Sequence, residues 1–351
     1  MLEARDRVGG RVWSAPLAGG VVELGAEFVL PGYTLLTELA ARIGLALHEK
    51  GTLYGDREPR GVDVTRAELD AAVADLASAR GTSIADALAS LDAADGARAT
   101  IASRLAVSTA FELDDQPASI LAEGAAGFGA FASYAVTAGN DAVARALAAR
   151  LDVRLSTTVR EIAWADGRVT VDGYAADACV LAAPAWATAA ISFDPPLPEW
   201  KRAALAAVRY GHAAKVFLPL TEPVEPSATL SVPDRFWTWT QHGLAVASSF
   251  AGTEAALDRL EVEAGPELWA ARVRRLRPDL PYADDAPLLA TWPEGAYSAR
   301  TLGSPLDDDA LAASVGPLHF AGEHTAGAWH ALMEGALRSG VRAAQSAANA
   351  R

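Results

Sequence analysis

The first eleven residues hold the densest group of chemically useful side chains. Glu3 ends a short apolar segment, Arg5 and Arg11 follow it, and Gly9 and Gly10 are adjacent. An acidic residue at the end of the second strand of a dinucleotide-binding unit accepts hydrogen bonds from ribose hydroxyls. The G-x-G-x-x-G fingerprint that opens such a unit is absent from the sequence, and Glu3 stands where the second strand would end.

Other catalytic classes lack their signatures. The sequence contains no G-x-S-x-G, no H-E-x-x-H and no credible Cys/His pair, so we expect no protein nucleophile. Cys179 is the single cysteine, which excludes an internal disulfide and a multi-cysteine metal site. We therefore expect no metal.

Composition limits the partners. The chain has 351 residues, of which 51% are hydrophobic, enough for two domains or one large one. A net charge of -14 opposes binding to nucleic acid and weakly favours cationic small molecules. No apolar run approaches the roughly 18 residues of a membrane helix, and the N-terminus is too charged for a secretory signal. We expect a cytoplasmic protein without a membrane segment.

The N-terminal half predicts helices that give way to strands. Apolar spacing over 34–47 indicates a helix that ends at Gly44. The alanine-rich stretch 65–125 indicates a helical insert, with Thr65 and Ser83 as caps. After a helix over 140–151, alternating residues over 153–171 predict a hairpin that turns at Asp166-Gly167, and 178–183 resembles a fully buried strand.

The C-terminal half predicts an antiparallel sheet flanked by helices. Prolines 195, 196 and 198 mark a boundary before a helix over 199–208. Strands are expected at 214–218, 237–239 and 246–250, two helices within 254–275, and a last helix from about 330 to 347. Trp237, Trp239 and Phe250 on these strands are either core residues or the lining of a pocket.

Several segments resemble one known family. Residues 3–11, E-A-R-D-R-V-G-G-R, resemble the E-A-R-x-R-x-G-G-R segment of the flavin-containing amine oxidases, the monoamine and polyamine oxidase family. Further segments resemble this family in its own order, over nearly the whole chain: 25–28 (G-A-E-F), 158–159, 177–184, 193–198, 211–215 (G-H-A-A-K), 320–325 (F-A-G-E-H-T) and 333–336 (M-E-G-A).

The resemblance implies an α/β fold. It consists of a Rossmann-like FAD-binding domain of the glutathione-reductase and amine-oxidase type, truncated at its N-terminus, and a substrate domain of antiparallel sheet plus helices. We expect the FAD-binding domain to be discontinuous and to comprise residues 1–48, 137–194 and 305–351. The substrate domain then comprises residues 49–136 and 195–304.

The resemblance places the N-terminal segment against FAD. Glu3 is expected to bind the ribose of the adenosine half. Gly9 and Gly10 let the backbone approach the pyrophosphate or the ring system, while Arg5 and Arg11 bind phosphate or flavin carbonyls.

The remaining cofactor contacts lie further along the chain. Val159 belongs to the strand that faces the adenine. Gly322 and Glu323 are expected near the ribityl or pyrophosphate region. The backbone amides from about 331 to 333, which include Leu332 and Met333, are expected to point at the O2 edge of the flavin.

The family's chemistry is oxidation of an amine. Lys215 corresponds to a lysine that holds a water at flavin N5. Transfer of a hydride equivalent from the carbon that bears the amine gives an imine, which water hydrolyses to an aldehyde or ketone and ammonia or an amine, while O2 is reduced to hydrogen peroxide. Tyr297, after Trp292, resembles half of a two-tyrosine cage for the amine, and we count Lys215, Tyr297 and Trp292 as catalytic.

Two departures from the family pattern leave alternatives open. Leu332 stands where the second cage tyrosine is found, so primary amines, polyamines and amino acids all remain candidate substrates. An amino acid would need an arginine opposite its carboxylate, and the sequence does not single one out. A reaction like that of carotenoid desaturases or protoporphyrinogen oxidase, which share the flavin fold, is the alternative to amine oxidation.

The second departure is the start of the chain. The first strand, glycine loop and helix of a dinucleotide unit take roughly 30 residues, and none precedes Glu3. We expect tight FAD binding to fail in the chain as it stands. Three explanations are open: an upstream start of an ordinary enzyme, a second polypeptide that supplies the unit, or a non-catalytic remnant. A homodimer is also open.

Overall fold

The computed structural model describes residues 1–121, 128–165, 167–304 and 306–349. In chain order, the strands before the boundary prolines are β1 Ser14–Leu17, β2 Gly20–Glu23, β3 Leu47–Glu49, β4 Glu58–Arg60, β5 Tyr134–Val136, β6 Glu161–Ala165, β7 Arg168–Val171, β8 Tyr174–Ala176, β9 Cys179–Leu181 and β10 Ser192–Asp194. The strands after these prolines are β11 Arg209–Gly211, β12 Ala213–Pro219, β13 Ser227–Ser231, β14 Phe236–Thr240, β15 Val246–Gly252, β16 Leu288–Thr291, β17 Tyr297–Ala299 and β18 Leu318–Phe320.

The α-helices are, in chain order, α1 Thr34–Arg42, α2 Arg66–Asp75, α3 Ile84–Ala89, α4 Asp95–Thr109, α5 Ala142–Ala148, α6 Ala185–Ala189, α7 Glu199–Ala207, α8 Glu254–Arg259, α9 Glu267–Leu276, α10 Asp308–Ala312 and α11 Met333–Asn349. None of these described helices combines the length and apolar character that crossing a bilayer requires.

The largest sheet has six strands in the order β16-β12-β15-β14-β13-β4. Its neighbours are antiparallel except for β13 and β4, which run parallel. The three predicted strands are confirmed as β12, β14 and β15. Every residue of β12 is buried because the sheet is covered on both faces.

Side chains of β12 alternate between two hydrophobic clusters. Val216 packs in a cluster with Trp269 of α9. Phe217 packs on the other side, with Val22 and Leu24 at the end of β2. Lys215 has the same parity as Phe217, so it lies on the β2 side of the sheet, where it is 4% exposed.

The rest of the fold mixes parallel and antiparallel pairs, so the predicted α/β class is confirmed. Strands β18 and β9 pair in parallel, as do β10 and β6, while β6, β7 and β8 form an antiparallel meander. Residue 166, in the predicted turn, lies outside the described residues. One hydrophobic core unites these strands with α7 and α10.

Two helices of the helical insert begin at the caps that the sequence predicts. Thr65 and Ser83 each begin a helix with a reciprocal capping box, with Glu68 and Asp86 respectively. Apolar side chains of α2, α3 and α4 form a separate hydrophobic cluster. The last part of the predicted insert, residues 122–125, lies outside the described residues.

Three expectations of local structure were wrong. The segment 153–155 forms no strand but extends beside the N-terminus, where Leu2 bridges Arg154. The strand over 178–183 is shorter than predicted and not fully buried, since Val180 is 44% exposed on its outer face. The last helix begins at Met333 instead of 330, because Ala331 adopts a positive φ of 65° that a helix does not allow.

Candidate functional site

Lys215 is held by three acceptors at the end of β2. Its Nζ donates to the carbonyls of Glu23 and Gly25 at 2.7 Å each and to Oε2 of Glu27 at 2.6 Å. An ammonium has three hydrogens, so these bonds use all of them. Burial lowers the pKa of Lys215, and the Glu27 carboxylate opposes that effect.

Glu27 is shared by two buried lysines. Lys50 Nζ contacts Oε1 at 2.6 Å, on the opposite oxygen from Lys215. Burial disfavours the charge on Glu27, yet Lys215 and Lys50 hold its pKa below the usual range. Lys50 carries no sequence signal of this role, because no motif links it to Glu27, 23 residues earlier.

A second carboxylate completes this group. Glu23 accepts hydrogen bonds from Ser14 Oγ at 2.6 Å and from the Asn140 amide at 2.8 Å. Burial, together with the charge of Glu27, raises the pKa of Glu23 to about 7. We call Glu23, Glu27, Lys50 and Lys215 the buried charge cluster.

Trp292 and Lys215 meet at the same short segment. Trp292 Nε1 donates to the Leu24 carbonyl at 2.9 Å, between the two carbonyls that Lys215 takes. The other side of the segment lies against the N-terminal motif, since a Cβ on Gly25 would approach the Arg11 carbonyl to 2.0 Å. The segment 23–25 therefore joins two predicted catalytic residues to the predicted cofactor segment.

Tyr297 is fixed by its hydroxyl. It lies on β17 opposite Gly211, and its hydroxyl donates to the Ser108 carbonyl of α4 at 2.7 Å. Burial raises the pKa of Tyr297 above its usual range, so the phenol stays neutral. The ring is thus held in one orientation by the helical insert.

The N-terminal motif forms a compact loop. Glu3 Oε1 accepts the Arg5 amide at 2.9 Å, and Arg5 pairs with the exposed Glu294 at 3.1 Å while lying 5.7 Å from the Trp292 ring. Gly9 and Gly10 both have positive φ, 100° and 58°, and the space beyond Gly10 is open. This backbone suits the close approach that was predicted for it.

Arg11 links this loop to the C-terminal motif. Its Nη1 lies 2.8 Å from Glu323 Oε1, and its guanidinium stacks 5.3 Å from the Tyr210 ring. Glu323 also accepts from the Ser298 hydroxyl and from the Ala331 amide, the latter at 2.6 Å. Despite the cost of burial, Arg11 and the Ser298 hydrogen bond lower the pKa of Glu323.

The Ala331 amide is therefore not directed as expected, since Glu323 accepts its hydrogen. Leu332 and Met333 pack against Val29 and Tyr33 of the N-terminal region. Gly322 has a φ of 115°, and its amide donates to Ser339 at 2.9 Å. Val159 packs against the hydrophobic core around β6.

Two buried nitrogens in these segments lack hydrogen-bond partners among the described residues. They are Arg7 Nη2 and His324 Nδ1. Arg7 belongs to the N-terminal loop and His324 follows Glu323, so both lie in segments joined by the Arg11–Glu323 pair. Buried polar groups need partners, and the pyrophosphate and ring carbonyls of a flavin dinucleotide would supply acceptors. These residues fit the predicted cofactor.

Comparison with curated proteins finds relatives among oxidases. The chain is 29% identical over 226 residues to Polyamine oxidase 4 of Oryza sativa subsp. japonica, which covers 58% of this chain and 46% of that protein. It is 27% identical over 208 residues to the L-amino-acid oxidase of Bungarus fasciatus, which covers 53% of this chain and 40% of that protein. The matches thus span less than half the length of these two relatives.

Among solved structures, the chain resembles Cyclohexylamine Oxidase from Brevibacterium oxydans IH-35A. The TM-score is 0.82 at 19% identity, over 99% of this chain and 92% of that one, which establishes the fold. The family model described as "Flavin containing amine oxidoreductase" matches residues 1–123 and 104–348. The chain therefore belongs to the flavin-containing amine oxidoreductases, and its predicted cofactor, FAD, is confirmed with the family.

Proposed function

We propose that this protein oxidises the C–N bond of an amine with FAD. The amine becomes an imine, water converts the imine to an aldehyde or ketone and ammonia or an amine, and O2 is reduced to hydrogen peroxide. The observation that carries the proposal is the junction at 23–25. There Lys215 and Trp292 bind three successive carbonyls, and Gly25 packs against the backbone of Arg11.

FAD, when bound, accepts the hydrogen and the electron pair from the amine C–H bond and passes two electrons to O2. The residues of the chain position the cofactor and supply the charges around it. Arg7, Arg11 and the loop at Gly9–Gly10 would hold the phosphates and the ring carbonyls. Glu3 would hold the ribose, as predicted from the sequence.

Lys215 keeps a positive charge in a dry site because Glu27 neutralises it. All three of its hydrogens are in use, so a water can bind Lys215 Nζ only when one of these bonds lengthens. Glu27 is the movable partner, since its carboxylate retains Lys50 at 2.6 Å when Lys215 turns away. We propose this exchange as the way in which Lys215 serves the reaction.

Tyr297 and Trp292 shape the amine site. The Tyr297 ring is fixed through Ser108, and its face is the surface that we propose the amine contacts. With Leu332 in place of a second aromatic ring, one wall is aliphatic. We also propose the predicted two-domain division and the cytoplasmic location, the former supported by the separate hydrophobic clusters of α2–α4 and of the β6 region.

The test is a panel of primary amines, polyamines and amino acids given to the FAD-loaded protein, with hydrogen peroxide as the readout. The proposal expects peroxide with at least one substrate class, and none from free FAD or from heat-denatured protein. FAD-loaded protein that forms no peroxide with any class, under air and over a range of pH, contradicts it.

A further inference from the structure

Arg57 is a buried arginine whose charge has no counter-ion among the residues that the structure describes. It is 7% exposed, and its Nε donates to the Tyr54 carbonyl at 3.4 Å. Its Nη1 has no hydrogen-bond partner among the described residues, and none of their carboxylates forms an ion pair with it. Arginine stays protonated in proteins, so an uncompensated guanidinium in the interior calls for an anion.

A second buried arginine shares the Tyr54 carbonyl with Arg57. Arg104 of α4 donates to the same Tyr54 carbonyl, also at 3.4 Å. Burial, together with the charge of Arg104, lowers the pKa of Arg57.

This pair of arginines is joined to the proposed amine site. Arg104 also hydrogen-bonds to Ser108 Oγ, and the Ser108 carbonyl accepts the hydroxyl of Tyr297. On the other side, the Arg57 guanidinium lies 3.6 Å from the centre of the Trp237 ring. Contacts thus connect Arg57 directly to Trp237 and, through Arg104 and Ser108, to Tyr297.

The contacts that begin at Arg57 and Trp237 extend to Lys215. Trp237 stacks on Trp239 with 4.2 Å between ring centroids, and Lys215 Nζ lies 6.0 Å from the Trp239 ring. Arg57 therefore lies at one end of a stacked indole pair and Lys215 at the other. From the sequence, Trp237 and Trp239 could be either core residues or the lining of a pocket.

Arg57 also lines a cavity of about 540 Å³ between the helical insert and the β13 edge of the large sheet. The other charged residues of its lining are already paired: Asp56 with Arg66 at 3.0 Å, and Glu58 with Arg60 at 3.1 Å. Among the charged lining residues, Arg57 is thus the one without an ion-pair partner in the described part of the chain.

We propose that Arg57 binds a carboxylate of the substrate, so that the amine oxidised by this protein is an amino acid or another amine with a carboxylate. This inference rests on the proposed function. A planar guanidinium matches a carboxylate with two parallel hydrogen bonds, and a single negative charge is tolerated beside Asp56 and Glu58 better than a phosphate dianion is. The indole pair would contact the apolar part of the substrate.

The first test needs no turnover. Benzoate, which carries a carboxylate and no amine, is titrated into the protein while tryptophan fluorescence is followed, because Trp237 lies directly against Arg57. We expect saturable binding of benzoate and no such binding of benzamide, its neutral match. Equal binding of the two, no binding of benzoate, or tighter binding of inorganic phosphate overturns the proposal.

Variants assign the binding to Arg57. Arg57→Met is expected to weaken benzoate binding at least about tenfold, with partial recovery in Arg57→Lys. Arg66→Met is the matched control, since Arg66 lines the same cavity but is exposed and paired. Unchanged benzoate affinity in Arg57→Met overturns the assignment. If that variant does not fold, the comparison of benzoate with benzamide in the unmodified protein still tests whether the protein binds a carboxylate.

The second test separates this inference from the proposed function. FAD-loaded protein is given DL-phenylalanine and phenethylamine, which differ by the carboxylate. We expect a higher kcat/KM for phenylalanine, and a preference lost in Arg57→Met through a higher KM. Equal or better oxidation of phenethylamine overturns the inference and leaves the proposed function intact. Oxidation of neither, alongside specific benzoate binding, counts against the proposed function alone.

Discussion

The Glu27 carboxylate and the Lys215 ammonium form a buried ion pair with 2.6 Å between Oε2 and Nζ. The pair connects β12, an interior strand of the large sheet, to the chain that leaves β2. Because Lys50 occupies the other oxygen of Glu27, the carboxylate has two positive partners and remains ionised. This arrangement compensates the buried positive charge of Lys215.

Removing the Glu27 charge is expected to destabilise the fold. Glu27→Gln leaves Lys50 and Lys215 buried without the carboxylate that both contact, and the expected loss is about 3–5 kcal/mol in the free energy of unfolding. Chemical denaturation measures it. Glu49→Gln is the control, since Glu49 is exposed on β3. A loss in Glu27→Gln no larger than in the control would refute the role of the ion pair.

Glu23 is expected to make stability depend on pH. Its pKa is raised from 4.5 to about 7 by burial and by Glu27, so the folded state prefers the protonated acid. That stabilisation is complete below the unfolded pKa of 4.5 and is lost as the pH rises through 7. The loss is about 3 kcal/mol for this group.

The matched variant for this titration is Glu23→Gln, which stays neutral at every pH. Denaturation at pH 5 and pH 8 should show a smaller decline in stability for the variant than for the unmodified protein. Other titrating groups are common to both proteins and cancel in the comparison. The same decline in both proteins would mean that Glu23 does not titrate in this range.

Leu332→Tyr is expected to improve the oxidation of small amines. A second aromatic face opposite Tyr297 adds about 0.5–2 kcal/mol of contact with the amine, which corresponds to roughly 2- to 30-fold in kcat/KM. Leu332→Met is the control, because it keeps the size and apolar character without a ring. No difference between the two variants would place residue 332 away from the amine.

Lys215→Met is expected to slow flavin reduction or reoxidation on the order of 100-fold while FAD stays bound. Lys50→Met is the matched control. It also removes one partner of Glu27, but Lys50 contacts Oε1 whereas Lys215 contacts Oε2. Stopped-flow absorbance separates the two half-reactions. If both variants are equally slow, the effect comes from the charge of the cluster and not from Lys215 itself.

The sequence predicts features that depend on residues close together in the chain, such as helix caps and motifs. The candidate site also depends on residues that are far apart in the chain. The capping boxes at Thr65 and Ser83 could be read because each involves residues three apart. Lys215 could be found by its motif, but its strand pattern alone favours a solvent-facing side chain. Its burial follows from the covering of the sheet by β2, which no short pattern encodes.

Lys50 and Arg57 show what the sequence could not reveal. Lys50 lies 23 residues from Glu27, and only the fold brings the two together. The significance of Arg57 depends on its having no ion-pair partner among the described residues, although Asp56 and Glu58 are its neighbours in the chain, and this is a property of the whole packing arrangement. Likewise, the Ala331 amide was expected to be free, but Glu323, eight residues earlier, accepts it.

The most direct test of the account is to mix the FAD-loaded protein with amine substrates in the absence of oxygen and to record the flavin absorption spectrum. The account predicts that the yellow band of the oxidised flavin disappears with a competent amine and returns when air is admitted, with one hydrogen peroxide formed for each flavin reoxidised. A band that persists with primary amines, polyamines and amino acids alike would contradict the assignment of this protein as an amine oxidase.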